Sequence, residues 1–270
     1  MDLTLMAVHA HPDDEVLTTG GILARYADAG FRTVLVTCTN GEAGDGPGGV
    51  KPGEDGHDGE AVAEERLAEL RASVAHLGIG DVELLGYRDS GMDGWDTNKD
   101  PRAFWNIPIE ESTAKLAALM ERYRPQVVVT YDENGGYGHP DHIQAHRIAV
   151  AATEATGIPD KLYYTAIPRT RARAMFERMR SIGIDLGFEP SPDFGTPDEL
   201  ITATVDVTPY VDRKIKALRA HASQSDNIWL LQLPDEAQQL VLGHEAFVRV
   251  RCQIEAPDQE DDLFAGLTEG

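Results

Sequence analysis

Two clusters of histidine and carboxylate residues carry the chemistry that this sequence could perform. The first cluster, residues 11–14 (His-Pro-Asp-Asp), directly follows a short apolar run, and the second, residues 137–142 (Tyr-Gly-His-Pro-Asp-His), follows another. Imidazole and carboxylate ligands without thiolates fit a catalytic zinc site, in which three protein ligands leave one position open for water. The same ligand types could hold iron or manganese. The two clusters therefore predict a metal centre assembled from distant parts of the chain.

The rest of the chain alternates between strand and helix patterns. Apolar and β-branched runs predict strands near residues 3–8, 32–38, 82–87, 126–130, 161–166, 201–207 and 247–252. Helical spacing of apolar residues predicts helices near 17–29, 59–77, 109–122, 143–153, 169–183 and 211–221. This alternation predicts an α/β fold: a Rossmann-like three-layer sandwich with a mainly parallel sheet and a small C-terminal extension. Both clusters would then lie at the carboxyl ends of strands, where such sheets bind ligands.

We interpret residues 1–255 as a single domain and residues 256–270 as an acidic, mobile tail. Residues 41–60 are rich in Gly, Asp and Glu and have little to bury, so they form either a lid over the crevice or a plain solvated insertion. Residues 185–199 are predicted to form a loop rich in Pro, Gly and Asp.

Composition excludes several classes of partner. The 270 residues carry a formal charge of −22, which argues against binding to nucleic acid or an anionic membrane surface. Cys38 and Cys252 lack a paired spacing, which favours free thiols in a reducing compartment over a disulfide. The N-terminal apolar stretch is too short for a signal sequence or a membrane span, so we expect a cytoplasmic protein. A homo-oligomer is left open.

Two common uses of this architecture lack their motifs here. A dinucleotide-binding dehydrogenase needs a G-x-G-x-x-G turn after the first strand, where this chain has residues 9–14 (His-Ala-His-Pro-Asp-Asp). A serine hydrolase of this fold needs a G-x-S-x-G elbow, and the sequence contains none. A metal-dependent hydrolase is the interpretation that remains.

The motifs resemble those of a known family. Residues 11–15 (His-Pro-Asp-Asp-Glu) together with residues 136–142 (Gly-Tyr-Gly-His-Pro-Asp-His) are similar to the PIG-L/LmbE family of zinc-dependent N-acetylglucosaminyl deacetylases. Residues 88–91 (Arg-Asp-Ser-Gly) and 216–224 extend the resemblance over most of the chain. Within the family, the chain most resembles the mycothiol-pathway deacetylase and the mycothiol S-conjugate amidase group.

The resemblance implies a role for each matching residue. His11, Asp14 and His142 would be ligands of Zn²⁺, with Fe²⁺ as the alternative ion. Asp13 would be the general base that takes a proton from the attacking water.

The remaining matches would act on the carbonyl group and the substrate. The Tyr137 hydroxyl would stabilise the oxyanion, and His139 would be a protonated stabiliser or the acid for the leaving amine. Asp141 would orient His139 and raise its pKa. The resemblance also implies that Arg66 and Asp89 bind hydroxyl groups of a sugar or inositol, and that Asp45 lines the same pocket.

Structural roles compete with several of these assignments. Asp13 or Asp14 could simply cap the following helix, Tyr137 could be a loop anchor, and Arg66 with Glu69 could form a surface pair. His9 is expected to be structural. His221 is expected either in the core or near the substrate. Trp95, Trp105 and Trp229 are expected to be anchors rather than sugar platforms.

The sequence thus predicts a metal-dependent hydrolase that removes the N-acetyl group from an N-acetylglucosamine-containing small molecule. The first alternative is a mycothiol S-conjugate amidase. That type carries a Lys soon after its acidic motif and a Pro after the tyrosine, where this chain has residues 16–19 (Val-Leu-Thr-Thr) and Gly138, so deacetylation is favoured. The alternative from another class is a carbohydrate-binding protein with a structural metal.

Overall fold

A computed structural model of the chain describes residues 3–181, 183, 191, 193–224 and 228–268. Within these ranges, seven strands form one sheet. The strands are β1 (Thr4–His9), β2 (Arg32–Thr39), β3 (Asp81–Tyr87), β4 (Val127–Thr130), β5 (Lys161–Ala166), β6 (Ala203–Asp206) and β7 (His244–Cys252). The helices are α1 (Asp14–Asp28), α2 (Gly59–Leu77), α3 (Ile109–Tyr123), α4 (Gly135–Gly138), α5 (Pro140–Thr156), α6 (Arg169–Ser181), α7 (Val211–Ala220), α8 (Ile228–Leu231) and α9 (Asp235–Leu242).

Short 3₁₀ turns complete the described elements, at Pro47–Gly49, Asp96–Lys99, Phe104–Asn106, Asp198–Leu200 and Thr208–Tyr210. The predicted loop at 185–199 falls partly on residues 185–190 and 192, which lie outside the described residues. No helix in the described ranges is both long and apolar enough to cross a bilayer.

The sheet has the order β3-β2-β1-β4-β5-β7-β6. Strands β1 to β5 pair in parallel, whereas β7 pairs antiparallel with both β5 and β6. This confirms the predicted mainly parallel sheet with a C-terminal extension. After β3 the chain crosses to the other side of β1, so the strand order reverses between β1 and β4. A crevice at the carboxyl ends of the strands is expected at such a switch point.

Strand β1 is buried on both faces because helices cover both sides of the sheet. Leu5 and Ala7 belong to one apolar cluster, and Met6 and Val8 belong to the other, as the alternation of side chains along a strand requires. Helices α1, α2 and α7 contribute to the first cluster, while α3 and α5 contribute to the second. The result is the predicted three-layer arrangement, with β1 and β4 at its centre.

Helix α2 brings polar groups into this interior. Its buried stripe recurs at helical spacing and consists of Val62, Arg66, Leu70, Ser73 and Leu77. The Asp58 side chain caps the start of α2 by accepting from the amides of Glu60 and Ala61. Since Arg66 and Ser73 share the stripe with leucines, both polar side chains must find partners inside the protein.

The described part of residues 256–270 packs against the domain, although its acidic composition predicts a mobile tail. Leu263 and Phe264 are fully buried, and the Phe264 ring lies 4.9 Å from the Tyr26 ring and 4.8 Å from the Phe31 ring, between centroids. The buried Glu260 carboxylate accepts from Lys161 Nζ at 2.5 Å. Two apolar residues and a partnered acid thus anchor a segment whose acidic composition suggested disorder.

We expect Phe264→Ala to destabilise the protein by about 3–5 kcal/mol, the usual cost of removing a buried phenylalanine ring. The free energy of unfolding from denaturant titration measures this effect. Leu200→Ala is the control because Leu200 is 52% exposed. A Phe264→Ala variant as stable as that control would contradict the anchoring of the tail.

Candidate active site

The two predicted clusters meet at the carboxyl ends of β1 and β4. Residues 10–13 follow β1 and lead into α1 at Asp14. After β4 the chain passes through the short α4 and enters α5, with Pro140 at the first position and His142 in the first turn. Adjacent parallel strands therefore place side chains that are about 130 residues apart in sequence within contact distance.

His11, Asp14 and His142 bring two imidazole nitrogens and one carboxylate group together. His11 Nδ1 lies 3.3 Å from Asp14 Oδ2 and 3.3 Å from His142 Nε2, and His142 Nε2 lies 3.4 Å from Asp14 Oδ1. Ligand atoms about 2.0–2.2 Å from a tetrahedral zinc ion are separated by roughly 3.3–3.6 Å. The spacing and chemistry of this predicted set therefore fit a divalent metal ion.

Outer hydrogen bonds direct both imidazoles toward that point. His142 Nδ1 lies 3.1 Å from the Gly135 carbonyl oxygen, and His11 Nε2 lies 3.2 Å from Asp141 Oδ2. When these outer nitrogens carry the protons, His142 Nε2 and His11 Nδ1 present lone pairs to each other and to Asp14. Metal-binding histidines in proteins are oriented by partners of this kind.

The charges around the centre suit cation binding. Burial disfavours the Asp14 carboxylate, but His142 and His11 outweigh it and hold the pKa of Asp14 well below its usual value. Burial lowers the pKa of His142 to about 4, so this ring is neutral at physiological pH. For His11, burial is opposed by Asp89, Asp14 and Asp141, which together raise the pKa of His11 well above its usual value. A metal ion would displace the proton from His11.

His139 is close enough to be considered as a fourth ligand. His11, His139 and His142 form one group with nitrogens within 4.8 Å of one another, and His11, Asp89 and Asp141 form another such group. However, His139 Nδ1 accepts the Asp141 backbone N–H at 3.1 Å, so the neutral ring carries its proton on Nε2. Asp141 already accepts from the Ser90 hydroxyl and, at 2.8 Å, from the Ser90 amide. His11, Asp14 and His142 are therefore the better-matched set.

Asp13 lies beside this centre, with its carboxylate against Arg66. Its carboxylate makes no cap hydrogen bond to the helix, and Oδ1 lies 3.2 Å from the Arg66 guanidinium. Burial raises the pKa of Asp13 to about 6, although Arg66 opposes the shift. A carboxyl group with a pKa near neutrality is suited to general-base catalysis. The geometry does not support the alternative in which Asp13 is only a helix cap.

The structure differs from prediction at Asp141 and His139. The Asp141 carboxylate contacts His11 and Ser90, and only the Asp141 backbone amide contacts the His139 ring. Burial, followed by the charges of His11 and His142, lowers the pKa of His139 to about 3 rather than raising it. The expected orientation of His139 by Asp141 is thus wrong, because the first turn of α5 directs the Asp141 side chain toward β1.

Tyr137 projects into the open part of the site. Its side chain is 59% exposed, and its ring centroid lies 5.0 Å from that of His142 and 6.2 Å from that of His139. The hydroxyl is therefore available to a ligand at the mouth of the centre, next to the His139 ring.

A cavity of about 580 Å³ opens above the centre and contains the predicted substrate residues Arg66, Asp89 and Asp45. Arg66 is buried and donates to the Gly41 and Pro12 carbonyls at 3.0 and 2.7 Å, so it is not part of a surface pair with Glu69. Burial opposes ionisation of Asp89, but His11 and then Arg66 hold its pKa well below the usual value. The Asp45 carboxylate is paired with Lys51 Nζ at 2.8 Å.

The acidic segment at 41–60 forms one wall of this cavity. Residues 43–45, 51 and 52 line it, and His57 Nε2 lies 2.9 Å from the Gly44 carbonyl oxygen. The cavity is also lined by the apolar side chains of Leu17, Met92 and Trp95, each more than a third exposed. Trp95, for which the sequence predicts an anchoring role, thus also lines the cavity. The cavity thus combines apolar surface with charged groups.

Sequence reasoning missed several residues that support the site. Ser90 links the β3 exit to Asp141, and the Tyr131 ring stacks on His142 with centroids 4.2 Å apart. His9, predicted to be structural, is fully buried between Thr19 Oγ1 at 2.8 Å and the Tyr131 hydroxyl at 3.2 Å. Ser90 lies within the quoted motif at residues 88–91, and Tyr131 lies five residues before the quoted motif at 136–142; these positions were the available signals.

Comparison with known proteins places these residues in a family. Residues 6–153, which include both clusters, match PIG-L, described as GlcNAc-PI de-N-acetylase. A relative from Geodermatophilus obscurus, named 1D-myo-inositol 2-acetamido-2-deoxy-alpha-D-glucopyranoside deacetylase, is 41% identical over 97% of each chain.

The solved structures that share the fold include the following two. N,N'-diacetylchitobiose deacetylase from Pyrococcus horikoshii aligns with a TM-score of 0.56 at 20% identity, covering 92% of this chain and 83% of its own. The 4-carboxy-2-hydroxymuconate hydratase GalB from Pseudomonas putida aligns with a TM-score of 0.61 at 18% identity, covering 94% and 99%. Because a deacetylase and a hydratase share this architecture, the fold alone does not assign a reaction. The sequence match across both clusters decides the relationship, and the chain belongs to the PIG-L family of de-N-acetylases.

Proposed function

We propose that this protein is a metal-dependent N-deacetylase that hydrolyses the acetamide of an N-acetylglucosamine-containing small molecule. The convergence of His11, Asp14 and His142 within 3.4 Å, beside the Asp13 carboxylate and at the floor of an open cavity, carries the proposal. Three protein ligands with an adjacent acid are typical of catalytic zinc sites, whereas structural zinc sites are closed by four. This favours an enzyme over a carbohydrate-binding protein with a structural metal.

We propose Zn²⁺ as the ion, since two imidazoles and one carboxylate match its ligand preferences, with Fe²⁺ as the alternative. When bound, such an ion lowers the pKa of water and polarises a carbonyl group. Side chains of the protein would carry out the proton transfers and stabilise the oxyanion.

Asp13 would take the proton of the attacking water, since its raised pKa keeps it basic enough near neutral pH. The Tyr137 hydroxyl and the His139 Nε2–H would donate hydrogen bonds to the developing oxyanion. His139 would act here as a neutral donor rather than as an imidazolium, because its Nδ1 already accepts a backbone N–H. The proton held by Asp13 would then pass to the leaving amine.

The substrate we propose first is the glucosaminyl-inositol amide named for the relative from Geodermatophilus obscurus. Arg66 and Asp89 supply charged hydrogen-bonding groups on one side of the cavity, and Met92 and Trp95 supply apolar surface. A sugar or cyclitol ring presents hydroxyl groups at its edge and C–H groups on its faces, which matches such a cavity. Cytoplasmic location and homo-oligomer formation stay predictions from the sequence.

Release of free amine and acetate tests the proposed function. Metal-reconstituted protein should deacetylate the N-acetylglucosaminyl-inositol, a chelator should abolish turnover, and added Zn²⁺ should restore it. N-acetylglucosamine and a mycothiol S-conjugate are the comparison substrates. Cleavage of the conjugate alone would replace the deacetylase with the amidase, and chelator-insensitive turnover would contradict a metal-dependent reaction.

Replacing Trp95 tests the apolar side of the cavity. We expect Trp95→Ala to raise KM for the N-acetylglucosaminyl-inositol about 5- to 30-fold, because an aromatic contact contributes roughly 1–2 kcal/mol. Since this contact would be equal in the ground and transition states, kcat should change little. Steady-state kinetics measure both constants. Leu84→Ala, which removes an exposed side chain of β3 outside the cavity, is the control. An unchanged KM would remove Trp95 from the binding site.

A further inference from the structure

Asp13 has a backbone conformation that non-glycine residues rarely adopt. Its φ is 122° and its ψ is −27°, and Arg124 is the one other non-glycine residue in the described ranges with a positive φ. Arg124, at φ 51° and ψ 51°, lies in the ordinary left-handed region, whereas Asp13 lies outside it. Such conformations persist only where surrounding contacts hold them. Some feature of the fold must therefore hold Asp13.

The Glu15 side chain forms a hydrogen bond with the Asp13 backbone. Its Oε2 accepts the Asp13 backbone N–H at 3.0 Å, within the turn that carries the unusual φ. Its Oε1 accepts from His221 Nε2 at 2.8 Å and from the Ser73 hydroxyl at 2.5 Å. All three side chains are at most 1% exposed. Both oxygens of the buried Glu15 carboxylate thus accept hydrogen bonds, and one of them accepts from the Asp13 backbone.

These partners come from three different elements. Glu15 lies in the first turn of α1, Ser73 lies on the buried stripe of α2, and His221 ends α7. On the other side of the turn, Arg66 donates to the Pro12 carbonyl at 2.7 Å and lies 3.2 Å from Asp13 Oδ1. The turn is therefore held from both sides.

We infer that Glu15, itself held by His221 and Ser73, is a positioning residue that keeps the Asp13 carboxylate directed at the reacting atoms. The inference rests on the proposed function, because Asp13 needs this orientation only if it acts as the base. Since Glu15 contacts the Asp13 backbone, its effect would pass through Asp13 and not through the metal ligands. Misplacement of a reacting group by about 1 Å can cost about 10²-fold in rate.

Glu15→Gln is the first test. A glutamine offers one oxygen where the carboxylate offers two, so it cannot accept from Asp13, His221 and Ser73 together. We expect kcat to fall about 10- to 100-fold, while KM stays within about twofold and the metal content per chain is unchanged. Glu65→Gln, an exposed change on α2, is the matched control and should behave as wild type. Loss of metal in Glu15→Gln would overturn the inference, because the role would then belong to the metal site.

A double substitution separates positioning from a general structural role. In an Asp13→Asn background, Glu15→Gln should lower residual kcat by no more than about twofold, because the group that it positions is already lost. Independent, multiplicative losses would overturn the inference. His221→Gln, which retains a donor toward Glu15, should keep more activity than His221→Ala. His76→Ala, at an exposed position of α2, is the histidine control.

A crystal structure of Glu15→Gln provides a readout that does not depend on turnover. We expect φ of Asp13 to move away from 122° in the variant and to stay near it in wild type; an unchanged turn would overturn the inference. If wild type hydrolyses none of the substrates, the proposed function fails, whereas this structural comparison still tests the contact.

Ser73→Ala is the second variant, for use if Glu15→Gln does not fold. It removes only one donor to Glu15, and we expect it to lower kcat severalfold with KM unchanged. Wild-type kcat in folded Ser73→Ala would count against the inference.

Discussion

Asp13→Asn should lower kcat by about 10²- to 10⁴-fold and leave the metal content unchanged. The expected loss is the usual contribution of a general base. Asparagine retains the size of aspartate and tolerates positive φ better than most residues, so the strained turn should survive. Asparagine cannot accept a proton near neutral pH, so the variant removes only the general-base function. Single-turnover kinetics and metal analysis of the purified variant measure the two quantities.

The matched control for Asp13 is Asp93→Asn, which changes an exposed aspartate and should leave kcat unchanged. Turnover of Asp13→Asn at the wild-type rate would remove Asp13 as the base. Turnover that is lost together with the metal would instead show that Asp13 supports the metal centre. The first result contradicts the mechanism, and the second changes the role of this residue within it.

His142→Ala should remove both metal and activity. His142 Nε2 lies 3.3 Å from His11 Nδ1 and 3.4 Å from Asp14 Oδ1, so its loss leaves two ligands where three converge. Removing partners that merely orient a ligand typically costs 10- to 100-fold in metal affinity or activity. We therefore expect the metal dissociation constant to rise at least about 100-fold, measured by competition with a chromophoric chelator.

His146→Ala is the control for His142, because His146 lies one turn further along α5 and contacts the Tyr131 carbonyl oxygen at 2.9 Å. This variant should bind metal as wild type does. Wild-type metal affinity in His142→Ala would contradict the proposed ligand set and would favour a group that includes His139 or Asp89. The two substitutions thus separate loss of a ligand from a general disturbance of the helix.

Local motifs predicted much of the site, but they did not predict how its members contact one another. Asp141 and His139 are two residues apart, and their proximity suggested a side-chain pair. In the structure, the first turn of α5 directs Asp141 to His11 and Ser90, while His139 receives only a backbone N–H. Direction within a helical turn depends on what packs against each face, which spacing alone does not contain.

The acidic C-terminal segment shows that composition also fails to predict contacts with distant parts of the chain. Composition indicates disorder when a segment has few apolar residues to bury. Here two buried residues, Leu263 and Phe264, hold the segment, because Phe264 packs against the rings of Tyr26 and Phe31. Tyr26 and Phe31 belong to α1 and the turn after it, more than 200 residues earlier in the chain.

The sequence by itself determined the alternating α/β architecture, the two clusters at strand ends and the ligand types. It could do so because buried strands, helical periodicity and the motif residues are local patterns in the chain. Only the tertiary structure decided that β1 and β4 are neighbours, that Glu15 reaches His221 and Ser73, and that Trp95 faces the cavity. The physical reason is that these contacts join residues far apart in sequence, and their geometry depends on how the sheet and both helical layers pack.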